Sequence, residues 1–139
     1  MGKRILVPVD GSEQAHQACE FVLREFPDAE LVLLHVINPA EAGYSAQASI
    51  PSFSEEWYDQ QREQAEALFA EIESDVDVTV STEIDVGKPV AVIVEYAEDN
   101  EIDQIVMGSH GRSGVSRVLL GSVAETVVRR SPVPVTVVR

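Results

Sequence analysis

The sequence predicts an α/β fold: an open, doubly wound, parallel sheet of five strands with helices on both faces. Three observations carry the prediction. Strand-like and helix-like patterns alternate along the whole chain, β-α-β-α-β-α-β-α-β. Residues 5–9 and 31–36 are apolar runs without alternation, His35 excepted, which suits strands buried on both faces. The chain has 139 residues, 45% of them hydrophobic, with no internal repeat or linker, so residues 1–139 are expected to form a single domain.

The elements follow in order. Residues 5–9 form the first strand. Gly11 and Ser12 supply a turn and an N-cap, after which Ala15, Ala18, Cys19, Val22 and Phe26 recur at helical spacing. Pro27 and Asp28 end that helix, and residues 31–36 make the second strand. Residues 38–53 hold Pro39, Gly43 and Pro51 and show no period: a long loop, either functional or disordered. A helix over 54–73 is capped by Ser54, with Ala65, Leu68, Phe69 and Ile72 as its inner stripe. Val76, Val78, Val80, Thr82 and Ile84 alternate with polar residues, which marks a half-exposed strand at a sheet edge.

Gly87-Lys88-Pro89 opens the third helix, whose inner positions are Val90, Ile93, Val94 and Ala97. Residues 102–107 are the fourth strand. A glycine-rich stretch, 108–114, leads into a helix over 115–130, interrupted in its middle by Gly121-Ser122. Pro132 and Pro134 break that helix, and Val135–Val138 closes the series as a fifth strand.

Composition narrows the function classes. The net charge is −14, from 24 acidic and 10 basic residues, which opposes nucleic acid and an anionic membrane face. A single cysteine, Cys19, excludes an internal disulfide and a Cys-rich zinc site. His16, His35 and His110 are scattered and lack helical metal-site spacing. No run resembles a signal-peptide core or approaches the ~20 apolar residues of a membrane span, so a cytoplasmic protein is the expectation. Only Lys3 and Lys88 are lysines. So carboxylate-rich and lysine-poor a surface suits the salt-rich cytoplasm of a halophile, where screening removes self-repulsion.

Ligands of such sheets bind beyond the carboxyl ends of the strands, where strand order reverses. Two strand ends carry unusual residues: Pro8-Val9-Asp10-Gly11-Ser12, and Met107-Gly108-Ser109-His110-Gly111-Arg112-Ser113-Gly114. If the order is 3-2-1-4-5, both loops flank the switch point. Glycines let backbone N–H groups approach a phosphate, Ser109 and Ser113 add hydroxyls, His110 offers its backbone, and Arg112 a charged fork. A mid-helix glycine costs about 1 kcal/mol relative to alanine, so Gly121 invites a reason, such as a break where the backbone and Ser122 meet a ligand. Residues 1–107 carry a net −18 and residues 108–139 a net +4. An anion site would produce that segregation, although Arg129 and Arg130 also suit a helix C-terminus.

These residues resemble the universal stress protein family, in its ATP-binding subclass. The resemblance rests on Gly108-x2-Gly111-x9-Gly121-Ser122, joined by Val7 to Ser12, Leu34-His35-Val36, and Ser131 to Val135, and it covers essentially the whole chain. It implies a five-stranded sheet of order 3-2-1-4-5 and a homodimer. It also implies that Asp10 contacts the adenosine part of ATP with Pro8 and Val9 beside it. Val36 and Met107 would then line the adenine. Gly108, Gly111, Arg112, Gly121, Ser122 and Val123 would surround the ribose and phosphates, with Mg²⁺ or Mn²⁺ bound through the phosphates. The last strand, ending the chain, is the expected dimer edge.

Each of these residues has a plainer reading. Asp10 could merely shape the turn. As a carboxylate it repels phosphate, so ribose, adenine or a phosphate-bound Mg²⁺ is its sensible partner. Ser12 reads as an N-cap, His35 as a hydrogen-bonded core histidine, Cys19 as core. Trp57 and Tyr58 belong either to the core or to a cover over the crevice. Glu55, Glu56, Glu63, Glu66, Glu71 and Glu73 read as a solvated face. The P-loop, Gly-x-Gly-x-x-Gly and Gly-x-Ser-x-Gly patterns are all missing. No general base stands out, so fast hydrolysis is not expected. The readings are therefore an ATP-binding regulatory module, a slow ATPase or nucleotidyl transferase, and a dimeric scaffold without nucleotide.

Overall fold

A computed structural model describes residues 2–41, 55–78, 80–109 and 120–139. The elements are β1 (Arg4–Pro8), α1 (Glu13–Glu25), β2 (Glu30–Ile37), a 3-10 turn (Pro39–Glu41), α2 (Glu55–Ser74), β3 (Val80–Val86), α3 (Pro89–Asp99), β4 (Gln104–Gly108), α4 (Ser122–Arg130) and β5 (Val135–Val138). All strand pairs are parallel, and the order is β3-β2-β1-β4-β5. The α/β class and the strand order both agree with expectation. Of the long loop, residues 42–53 lie outside the described residues, as does the Ser54 cap.

Each central strand serves two cores, because successive side chains point to opposite faces. Ile5, Val7, Leu31, Leu33 and Val106 pack with Ala15, Ala18, Cys19 and Val22 of α1 and Ala65, Phe69 and Ile72 of α2. Leu6, Val32, Leu34, Ile105 and Met107 pack on the other face with Ile93 and Ala97 of α3 and Ala124 and Val127 of α4. Nine of these strand residues have no exposed surface, which explains their unalternating apolar runs. Burying each such side chain contributes about 1.5–3 kcal/mol relative to exposure. Trp57 joins neither main core: it is buried in a small cluster with Ile37, flanked by Tyr58 and Ile84.

The two edges differ. β3 lies at one edge, as its alternation indicates, and places Glu83 and Asp85 opposite Leu34 and Val36 of β2. β5 lies at the other and carries Val135, Thr136, Val137 and Val138, all half-buried and uncharged.

Ser12 caps α1: its hydroxyl accepts from the Ala15 amide at 3.2 Å, with backbone φ −76° and ψ 158°. One expectation fails. The helix over 115–130 does not run through Gly121: that residue is extended, with φ −71° and ψ 164°, and it caps a nine-residue helix starting at Ser122. An extended residue cannot continue the α-helical hydrogen-bond series, so α4 begins only after Gly121, and residues 115–119 of the expected helix lie outside the described residues.

Cys19 is core, 4% exposed, and burial, assisted by Glu20, pushes its thiol up to about 12 from an ordinary 9.0. The folded thiol thus keeps a proton that the unfolded thiol releases at lower pH. Its contribution to stability is complete below pH 9 and is lost as pH rises toward 12. Native protein at pH 8 is expected to resist iodoacetamide, while urea-unfolded protein reacts fully. Rapid native labelling would contradict that burial.

Candidate functional site

The strand order reverses between β1 and β4, so the crevice opens beyond Pro8 and Gly108. The opposite end of the sheet is closed by Arg4, whose Nε lies 2.8 Å from Glu30 Oε2 and whose Nη1 donates to the Asn100 carbonyl.

On the β1 side, Pro8 ends the strand and Val9 follows, 3% exposed. The Val9 amide donates to the Leu34 carbonyl at 2.9 Å, one rung past the last paired residues. Asp10 is half-buried, and its Oδ1 accepts from the Ser12 amide at 3.0 Å. Gly11 between them has φ +83°, a left-handed conformation that favours glycine. The turn-shaping role of Asp10 is therefore real.

On the β4 side, Met107 is buried, Gly108 ends the strand, and Ser109 is 3% exposed. The Ser109 amide donates to the Val138 carbonyl of β5 at 2.8 Å. The Ser109 carbonyl accepts from the Gly121 amide at 2.7 Å. Two parts of the glycine motif, twelve positions apart, are thereby held together. Ser122 and Val123 follow as the first turn of α4, both exposed, Val123 by 37%. Val36 and Met107 share the sheet face packed by α3 and α4, on strands either side of β1. His110, Gly111 and Arg112 lie outside the described residues.

Gly108 has a packing requirement that its motif did not reveal. A Cβ there would lie 2.5 Å from Gln14 Cβ and 2.9 Å from the Gln14 backbone carbon. Nothing in the sequence singled out Gln14 as that neighbour. His35 was better signalled, as a polar residue inside an apolar run. Its Nδ1 lies 2.8 Å from the Val9 carbonyl, which makes it the hydrogen-bonded histidine expected, although half-buried.

The charge segregation needs correction. Arg129 and Arg130 stand in the last turn of α4, roughly 12 Å along the axis from Gly121. There they complement the helix C-terminus, and Arg129 Nη2 lies 2.6 Å from Glu125 Oε1. Arg139 directly follows β5 at the crevice end. A groove between β3 and α3 is lined by Asp85, Glu95, Tyr96 and Asp99. Burial, then the charge of Glu83, raises the Tyr96 hydroxyl above its ordinary value. That acidic surface repels phosphate.

The fold and crevice define a class: an open parallel α/β protein with a glycine-bearing site at its topological switch point. Residues 1–139 match the model of the universal stress protein family, and the chain belongs to that family. It is 36% identical to universal stress protein MJ0577 of Methanocaldococcus jannaschii, over 100% of this chain and 96% of that protein. A solved structure of MJ0577 superposes with a TM-score of 0.83 at 38% identity, covering 99% of this chain and 96% of that one. A universal stress protein in complex with cAMP superposes at 0.65 and 23% identity, covering 100% and 98%. A family protein from Arabidopsis thaliana with AMP bound superposes at 0.64 and 20% identity, covering 98% and 90%. The last two likenesses concern the fold.

Proposed function

We propose that this chain is an ATP-binding regulatory protein of the stress response, with the nucleotide in the crevice between β1 and β4. The observation that carries the reading is the Gly121 to Ser109 bond of 2.7 Å, which brings the separated halves of the glycine motif beside Asp10's loop. Asp10, with Pro8 and Val9 beside it, contacts the adenosine part, and Val36 and Met107 line the adenine. Gly108, Ser109, His110, Gly111, Arg112, Gly121, Ser122 and Val123 surround the ribose and phosphates. The cAMP and AMP held by two proteins of this family and fold are consistent with an adenine nucleotide.

A divalent ion fits the reading only as part of the ligand. Among the described residues no group of three or more His, Cys, Asp or Glu could hold a metal. Mg²⁺ or Mn²⁺ would come bound to the phosphates, beside an Asp10 whose Oδ1 already accepts one amide. The ion would neutralise phosphate charge beside that carboxylate. Calorimetry with ATP and Mg²⁺, together with analysis of nucleotide carried through purification, tests the reading. The expected result is saturable heat; no heat and no copurifying nucleotide would overturn it.

The same proposal includes a homodimer paired through β5 and a salt-rich cytoplasmic setting. The uncharged β5 edge supports the first, and the −14 charge with two lysines supports the second. Light scattering is expected to give twice the 15.2 kDa chain mass, and a monomer at micromolar concentration would refute the pairing. Circular dichroism in dilute buffer is expected to show loosening; full retention of structure there argues against salt adaptation.

A further inference from the structure

We propose that His35 is a positioning residue for the nucleotide crevice, acting through the Val9 carbonyl on the turn that carries Asp10. The inference rests on the nucleotide reading of the site and adds a residue to it.

The β1–β2 ladder pairs backbone with backbone from Arg4↔Glu30 to Pro8↔Leu34. One rung further, the Val9 amide still donates to the Leu34 carbonyl at 2.9 Å. The Val9 carbonyl bonds instead to a side chain, His35 Nδ1, at 2.8 Å. The backbone N–H and C=O of Val9 are thus both held by successive residues of β2. The chain leaves the ladder with its last peptide fixed, and Val9 itself is 3% exposed. The next residue is Asp10, locked to Ser12 at 3.0 Å through a left-handed Gly11. Ser12 in turn caps α1. A fixed Val9 peptide therefore sets the entry to the whole Asp10 turn.

The chemistry requires a particular imidazole. A carbonyl only accepts, so Nδ1 must carry the proton, and neutral His35 is held as its Nδ1–H tautomer. Asparagine places an amide nitrogen where Nδ1 stands, and phenylalanine keeps a ring without a donor.

The test combines calorimetry and spectroscopy on the full chain. Wild type, His35→Phe and His35→Asn are titrated with ATP and Mg²⁺, and their thermal unfolding is recorded. His35→Phe is expected to bind about tenfold more weakly, because it leaves the buried Val9 carbonyl without its donor. His35→Asn is expected to recover wild-type affinity within about threefold, since the donor returns. Long-range ¹H–¹⁵N spectra of ligand-free wild type are expected to show the Nδ1–H tautomer. Equal affinity of His35→Phe and wild type overturns the role of His35 alone. Equal weakening of both variants also overturns it, leaving His35 as packing. An Nε2–H tautomer overturns it whatever the calorimetry gives. A wild type that binds no adenine nucleotide overturns the reading of the crevice and this inference with it.

Discussion

Replacing Gly121 with valine is expected to weaken ATP binding by at least about a hundredfold, ~2.7 kcal/mol, while the protein still unfolds cooperatively. The backbone at Gly121, φ −71° and ψ 164°, lies in the region open to every L-residue. Valine therefore meets no conformational barrier there. Gly121 makes no side-chain cap, so no capping bond is lost, and the penalty to the helix start is about 1 kcal/mol. The ligand-side penalty is larger. The first amides of α4 have no helical acceptor, and on the proposed reading they face the phosphates. A branched side chain at the N-cap stands across that approach. Calorimetry and a urea melt on the same sample separate the two effects. Wild-type affinity in Gly121→Val would remove the α4 N-terminus from the site.

The opposite result is expected at Gly108, in the same motif. Gly108→Ala should lower the unfolding free energy by about 2 kcal/mol, and Gly108→Val by more. The cause is steric: the added carbon would sit 2.5 Å from Gln14 Cβ and 3.0 Å from the Gln14 carbonyl oxygen. The backbone of α1 cannot yield without disturbing the core beneath it. Loss of nucleotide in this variant would follow from loss of fold and would say nothing about phosphate contact. Urea denaturation is the direct measurement. An alanine variant as stable as wild type would mean that α1 and β4 can separate cheaply, and the glycine would then need a ligand to explain it.

The fold was legible because the strongest signals were buried ones. Residues 5–9 and 31–36 lack alternation because their side chains meet cores on both faces, and the third strand alternates because it is an edge. The boundaries were less legible. β1 runs Arg4–Pro8 rather than over 5–9, because parallel pairing to β2 starts at the partly exposed Arg4, which apolar patterning does not count. The helix over 115–130 failed for a related reason. Apolar periodicity does not register that Gly121 is extended, and only the cost of a glycine within the pattern hinted at it. For the site, Gly108 and Gly121 were visible as a spacing, but spacing cannot separate a glycine that packs on Gln14 from one that caps α4. Charge counting by segment misled in part, since it ignores which end of a helix carries Arg129 and Arg130.

The unlike edges of the sheet limit how the protein can polymerise. An open fibre built edge to edge needs two receptive strands per molecule, one to extend and one to be extended. Here β5 is bare of charge, whereas β3 brings Glu83 and Asp85 to the other edge of the sheet. Stacking β3 on a second β3 would oppose carboxylates to carboxylates. Addition at β5 uses up the single accommodating edge, so growth by this route terminates at its first step.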